Sequence, residues 1–171
     1  MIFVSVGTDT FPFDRLLKEI DRLVGFKIIT DDVFCQIGYS LYRPIHCNYV
    51  RFIEFNKINE YFKNADIIIS HAGPASIIQA LILGKIPIVI PRLKKFKEAV
   101  DDHQFLFTKK IANKKIILPV YNIDELKSHI LNYNIEISNL KVESIKYIVE
   151  KNAIEFSEKL DLICTKLMEK I

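Results

Sequence analysis

Three short stretches place reactive or hydrogen-bonding side chains where an apolar run gives way to a polar one. These are Gly7-Thr8, the segment Ser70-His71-Ala72-Gly73-Pro74-Ala75-Ser76, and Asp101-Asp102-His103-Gln104. In the second, Gly73 removes a side chain just where a helix would begin, and Pro74 suits a first helical turn because it has no N–H to leave unpaired. Ala75 is small and Ser76 carries a hydroxyl, so the free N–H groups of such a helix start would be open to an anion. Gln79 lies one turn beyond Ser76 on the same face and offers an amide to a sugar hydroxyl. An ordinary turn capped by Ser70 or His71 explains the same residues, and sequence alone leaves both readings open. Gly7-Thr8 is the same case in miniature: a close backbone approach to a ligand, or a plain strand-to-helix turn. Asp102, His103 and Gln104 combine carboxylate, imidazole and amide, a set able to grip hydroxyl-rich ligands. Acidic residues also favour a helix N-terminus for electrostatic reasons alone. The basic run Arg92, Lys94, Lys95, Lys97 would attract phosphate or an anionic surface, or be a solvated loop. The spacing implies no Ser-His-Asp arrangement, paired glycosidase carboxylates or metal-ligand cluster. GxGxxG and GxxxxGK[ST] are absent, which disfavours a dinucleotide fingerprint and a P-loop.

The elements that must hold these residues alternate between apolar runs and helical spacing. Ile2–Val6, Val33–Ile37, Val50–Phe55, Asp66–Ser70, Ile86–Ile90 and Ile116–Leu118 read as strands. Phe13–Val24, Ile58–Asn64, Ala75–Leu83, Asp102–Asn113 and Ile123–Tyr133 read as helices. Strands apolar throughout and separated by helices predict an α/β fold with a parallel sheet covered on both faces. In such sheets ligands bind beyond the carboxyl ends of the strands, where all three stretches fall. From Val142 to Ile171, apolar residues recur every three or four positions, which predicts one long amphipathic helix. That helix would dock on its own domain or present a stripe to another chain.

The 171 residues suggest one domain. A net charge of +3 is too mild to argue for nucleic acid. Cys35, Cys47 and Cys164 are far apart and odd in number, so neither a disulfide framework nor a zinc site is expected, in keeping with a reducing cytoplasm. The N-terminus reads as a first strand rather than a signal peptide, and no apolar run is long enough to span a membrane.

The stretch "SHAGPASIIQALILGKIPIVIPR" followed by "EAVDDHQ" resembles the donor-binding C-terminal domain of family 28 glycosyltransferases. With "MIFVSVGTDTFPFDRLLKEIDRL" and "CQIGYS", the likeness runs from Met1 to about Leu131. It narrows to small stand-alone subunits of capsule and exopolysaccharide synthesis. These are similar to the small subunit of the eukaryotic two-subunit transferase acting on dolichol-linked sugar. The resemblance implies a Rossmann-like UDP-sugar-binding domain over residues 1–135, half of a glycosyltransferase-B fold, with residues 136–171 as a C-terminal helix packing on the domain or on a partner. It places Gly7 and Thr8 by the diphosphate, Phe55 and Asn56 on the uracil side, and Ser70 through Ser76 in the phosphate-facing loop. It counts Arg92 among the donor-binding residues and sets Asp102, His103 and Gln104 against the sugar hydroxyls. Gln79 stands where relatives carry an acid that holds the ribose. An amide cannot supply the same charge-assisted acceptor.

The implied reaction is inverting: an acceptor hydroxyl displaces UDP, with helix N-termini and backbone N–H groups stabilising the leaving diphosphate and no obligatory metal or cofactor. A membrane-associated partner would supply the acceptor half, and a polyprenyl-linked sugar would be the acceptor. The protein would then sit at the cytoplasmic face of the membrane through that partner. No catalytic base is assigned; His71 and His103 are the candidates within this chain. The alternative is a non-catalytic module that binds nucleotide-sugar or stabilises its partner.

Overall fold

The computed structural model describes residues 1–140, the side chain of Phe55 excepted; the predicted helix from Val142 onward lies outside the described residues. Six strands form one parallel sheet in the order β3-β2-β1-β4-β5-β6. They are β1 (Ile2–Ser5), β2 (Val33–Gln36), β3 (Asn48–Val50), β4 (Ile67–His71), β5 (Ile88–Ile90) and β6 (Leu118–Pro119). The helices are α1 (Asp14–Gly25), α2 (Phe55–Asn64), α3 (Pro74–Ile82), α4 (His103–Ala112), α5 (Leu126–Leu131) and α6 (Tyr133–Ser138).

Side-chain alternation explains why the central strands are apolar at every position. Ile2 and Val4 of β1 face a large core with Leu16, Leu17, Ile20 and Leu23 of α1. Phe3, between them, faces a smaller core with Phe62 of α2, Ile68 of β4 and Ala80 of α3. A strand buried on both sides has no place for a polar residue until its end. At that end stand Ser5, Gln36 and Ser70, all buried and hydrogen-bonded.

The strand order has a functional consequence. From β1 the chain winds outward to β2 and β3, then returns to place β4 on the other side of β1. The connections therefore reverse direction between β1 and β4, and their following loops diverge to leave a crevice.

Besides shifts at element ends, such as β6 at Leu118–Pro119 where Ile116–Leu118 is expected, two expected elements differ. The strand predicted at Val50–Phe55 lies earlier, at Asn48–Val50, because Phe34 pairs with Asn48 and Gln36 with Val50; Phe55 opens α2 instead. The single helix predicted at Ile123–Tyr133 is a 3-10 turn (Ile123–Glu125) followed by α5 and α6. The chain bends at Asn132 so that Tyr133 turns inward and donates its hydroxyl to the Ile86 carbonyl at 2.7 Å. Burial pushes that phenol up to about 12. α6 runs across residue 135, and Ile137 and Leu140 pack on the large core.

Candidate functional site

The loops after β1 and β4 are joined through the His71 imidazole. A Cβ built on Gly7 would come within 2.6 Å of His71 Nε2, and one on Gly73 within 2.8 Å of its Cε1. No side chain larger than hydrogen fits at either position without displacing the ring. Gly7 also has φ +80°, which disfavours any L side chain. His71 thus fixes the spacing between two glycine-bearing backbones across the switch point. Burial, followed by the charge of Arg92, lowers its pKa to about 4, against the opposing effects of a hydrogen bond to the Ser5 carbonyl and of Asp9. At neutral pH the ring is uncharged.

This depression has a testable sign. The unfolded chain takes up a proton on His71 near pH 6.5, whereas the folded protein resists until about pH 4. Stability is therefore complete above the unfolded pKa and falls as pH drops through the window between the two values, by about 3 kcal/mol from this group. Urea unfolding at pH 7 and pH 4.5 measures it; His71→Asn should flatten that part of the profile.

Gln36 supports the first loop from β2. Its Oε1 accepts from Ser5 Oγ at 2.7 Å and from the Gly7 N–H at 3.3 Å, while its Nε2 donates to the Gly7 carbonyl at 2.9 Å. Gly38, at φ +52°, lies so close to Gly7 that a Cβ would meet the Gly7 carbonyl oxygen at 2.6 Å. Both residues belong to the "CQIGYS" stretch, to which the sequence assigned no role. An amide two residues before a glycine was the available signal, but its target is 29 positions away in the chain.

Near the end of β4, Ser70 is buried and donates to the His71 carbonyl at 3.0 Å. Gly73 is the N-cap of α3, and neither Ser70 nor His71 caps the helix with a side chain. The simple capped-turn reading therefore fails: Pro74 occupies the first turn, and Ala75 is exposed at the helix start. Ala72 is buried and Ser76 partly so. Gln79 Nε2 donates to Asn59 Oδ1 on α2, which engages the amide with a neighbouring helix. Thr8 and Asn56 are exposed.

Arg92 departs from expectation. It is fully buried, and its guanidinium donates to the carbonyls of Val6 at 2.7 Å, Glu98 at 3.1 Å and Phe11. The Phe13 ring lies 5.1 Å from its Cζ. Arg92 lies beneath the first loop rather than at the surface, because the carbonyls of Val6, Glu98 and Phe11 converge on it, and the first two would otherwise be buried without this donor. It is a positioning residue for the segment from Val6 to Phe13. Lys94, Lys95 and Lys97 of the same basic run remain exposed.

Gln104 reaches the segment that follows β5: its Oε1 accepts from the Arg92 backbone N–H at 3.1 Å. Asp102 accepts from the Lys94 N–H at 3.1 Å. The exposed His103 pairs through Nδ1 with Asp101 at 3.0 Å. The strand-end loops thus bring together Gly7, His71, Gly73 and, through Arg92, Gln104. A cavity of about 510 Å³ on the flank of α1, lined by Arg15, Lys18, Phe96 and Glu98 among others, contains none of these four residues. Among the described residues there is no group of His, Cys, Asp or Glu that could hold a metal.

Residues 1–160 match the model of the glycosyltransferase family 28 C-terminal domain. The chain belongs to this family. It is 34% identical over 95 residues to the UDP-N-acetylglucosamine transferase subunit ALG13 of Candida albicans, a match covering 56% of this chain and 31% of that one. The glycotransferase of kitacinnamycin superposes with a TM-score of 0.64 at 14% identity, covering 92% of this chain and 42% of the other. MurG of Acinetobacter baumannii gives 0.54 at 17% identity, with 91% and 49% covered. At such identities the two structures show the shared fold. The chain spans about a third of the Candida relative and under half of each of these structures.

Proposed function

We propose that this family 28 domain is the donor-binding subunit of a glycosyltransferase, taking a UDP-sugar into the crevice between the β1 and β4 loops. The observation that carries the reading is the junction of Gly7 and Gly73 through a neutral His71, beside the α3 start that no side chain caps. Backbone N–H groups there would face the diphosphate, as helix starts do for phosphates generally. Gly7, Thr8, Gly73, Ala75 and Ser76 would border it. Gln79 and Asn56 would approach the nucleoside, and Asp102, His103 and Gln104 the sugar. A direct inverting displacement needs the leaving diphosphate stabilised, which these groups would do without a metal.

The acceptor half would come from a membrane-associated partner carrying a polyprenyl-linked sugar at the cytoplasmic face, in capsule or exopolysaccharide synthesis. The ALG13 relative is itself described as a transferase subunit, which supports a two-chain arrangement. Residues 1–135 would hold the donor and residues 136–171 would extend toward the domain or the partner.

UDP should raise the Tm of the isolated chain while ADP and NAD leave it unchanged. At a hundredfold excess over Kd the stabilisation is ~2.7 kcal/mol, or roughly 5–10 °C in Tm. A flat response to millimolar UDP would remove the reading. Sugar transfer by the reconstituted pair but by neither chain alone would separate a catalytic subunit from a module that merely stabilises its partner.

A further inference from the structure

The segment between β2 and β3 presents an apolar row that the donor site does not use. Exposure alternates along it: Tyr39, Leu41, Arg43 and Ile45 face out, while Ser40 and Pro44 are buried and Tyr42 is half-buried. Leu41 is 77% exposed and Ile45 80%, more than most apolar side chains of the described fold.

This exposure is built rather than slack. Asp14 Oδ1 accepts from the N–H groups of Leu41 at 2.8 Å and Tyr42 at 3.1 Å. Asp21, buried in α1, accepts from the Tyr42 hydroxyl at 2.6 Å and from the N–H groups of Ile45 at 2.9 Å and His46 at 2.6 Å. Phe13 N–H donates to Ser40 Oγ at 3.0 Å. Two carboxylates and a hydroxyl hold the backbone against α1 and turn every second side chain to solvent. Phe52, edge-on to Tyr39 with ring centroids 5.2 Å apart, widens the row at one end. Phe26, 70% exposed, follows the last residue of α1.

The segment that carries the row has charge of one sign. From Val33 to Ile53 there is no Asp or Glu, but Arg43 and Arg51 are present. On the adjoining face of α1, Lys18 lies over the Tyr42 ring and Arg22 over Phe26. Three acids of α1 lie beside it and keep their charge: Asp14 and Asp21 accept the N–H groups above, and Glu19 pairs with Arg22 at 2.7 Å.

We infer that the row Tyr39, Leu41, Arg43 and Ile45 is a docking surface for an anionic lipid membrane. Aromatic and aliphatic side chains enter the headgroup boundary while arginines meet lipid phosphate, the combination that interfacial binding requires. The inference goes beyond donor binding and does not rest on it: the chain itself would touch the bilayer, whether or not it holds UDP-sugar.

Co-sedimentation of the full chain with vesicles tests it. Phosphatidylcholine vesicles containing phosphatidylglycerol should bind at least roughly tenfold more tightly than phosphatidylcholine alone, and added salt should weaken the binding. Leu41→Ser/Ile45→Ser should lose roughly tenfold or more in affinity, with Tm and the response to UDP unchanged. Arg43→Gln should lose several-fold and reduce the salt dependence; this variant decides the matter if the double variant lowers Tm. Absence of binding to anionic vesicles would overturn the inference. So would wild-type affinity in these variants, or a double variant that keeps vesicle binding while losing association with a co-expressed protein chain.

Discussion

Gly73→Ala is expected to weaken UDP binding severely while leaving the fold largely intact. Gly73 has φ −75°, which alanine adopts freely, so the backbone itself is not strained. The whole effect comes from the new methyl, which would lie within 2.8 Å of His71 Cε1 and closer still to Nε2. The imidazole must move, and it is the spacer between the Gly73 and Gly7 backbones. The expected loss is roughly a hundredfold in UDP affinity, the order of one or two hydrogen bonds to a charged diphosphate. The destabilisation should be only about 1–3 kcal/mol, the usual cost of overpacking. Isothermal titration with UDP and a thermal melt separate the two. The double variant His71→Ala/Gly73→Ala then isolates the collision. Removing the ring makes room for the methyl, so the melt should recover relative to Gly73→Ala. UDP affinity should stay low because the spacer is gone. Wild-type UDP affinity in Gly73→Ala would show that the crevice between β1 and β4 is not the diphosphate site.

Replacing Arg92 should have the largest effect on stability. Arg92→Met keeps much of the volume but leaves the carbonyls of Val6, Phe11 and Glu98 without these donors. A buried acceptor left unsatisfied costs about 1–3 kcal/mol; the Val6 and Glu98 carbonyls are buried and that of Phe11 partly so, and a loss of about 3–5 kcal/mol is expected. That corresponds to a fall of roughly 10 °C or more in Tm. Arg92→Lys should recover little, because one ammonium cannot reproduce a planar fork aimed at several oxygens. UDP affinity should fall with folding of the Val6–Phe13 segment, so saturating UDP should partly rescue the melt. An Arg92→Met protein that melts normally yet fails to bind UDP would instead make Arg92 a direct ligand contact.

Arg92 also shows where sequence reading reaches its limit. A basic residue just after "IPIVIP", beside three lysines, reads as a solvent-facing phosphate binder. Its burial depends on which carbonyls converge around it: Val6 and Phe11 are 86 and 81 positions away. No local pattern encodes that. The same holds for Gln36, whose partner is Gly7, and for His71. A histidine at the end of an apolar run is legible as a candidate. Its packing between two glycines appears only when β1 and β4 are placed side by side.

The sequence by itself determined the parallel α/β class, most of the helices and strands, and the strand-end position of Gly7 and His71–Ser76. Those follow from local physics: apolar runs buried on both faces, helical spacing, and glycine and proline where helices begin. The motif order carried the family as well. Tertiary structure alone decided the order 3-2-1-4-5-6, and with it the switch point between β1 and β4. It decided that α3 starts without a side-chain cap, that Arg92 braces the first loop from below, and that Leu41 and Ile45 face solvent. Each is a long-range choice, because a parallel strand pairs with whichever neighbour the crossovers deliver. A side chain's role then depends on the backbone that pairing brings to it.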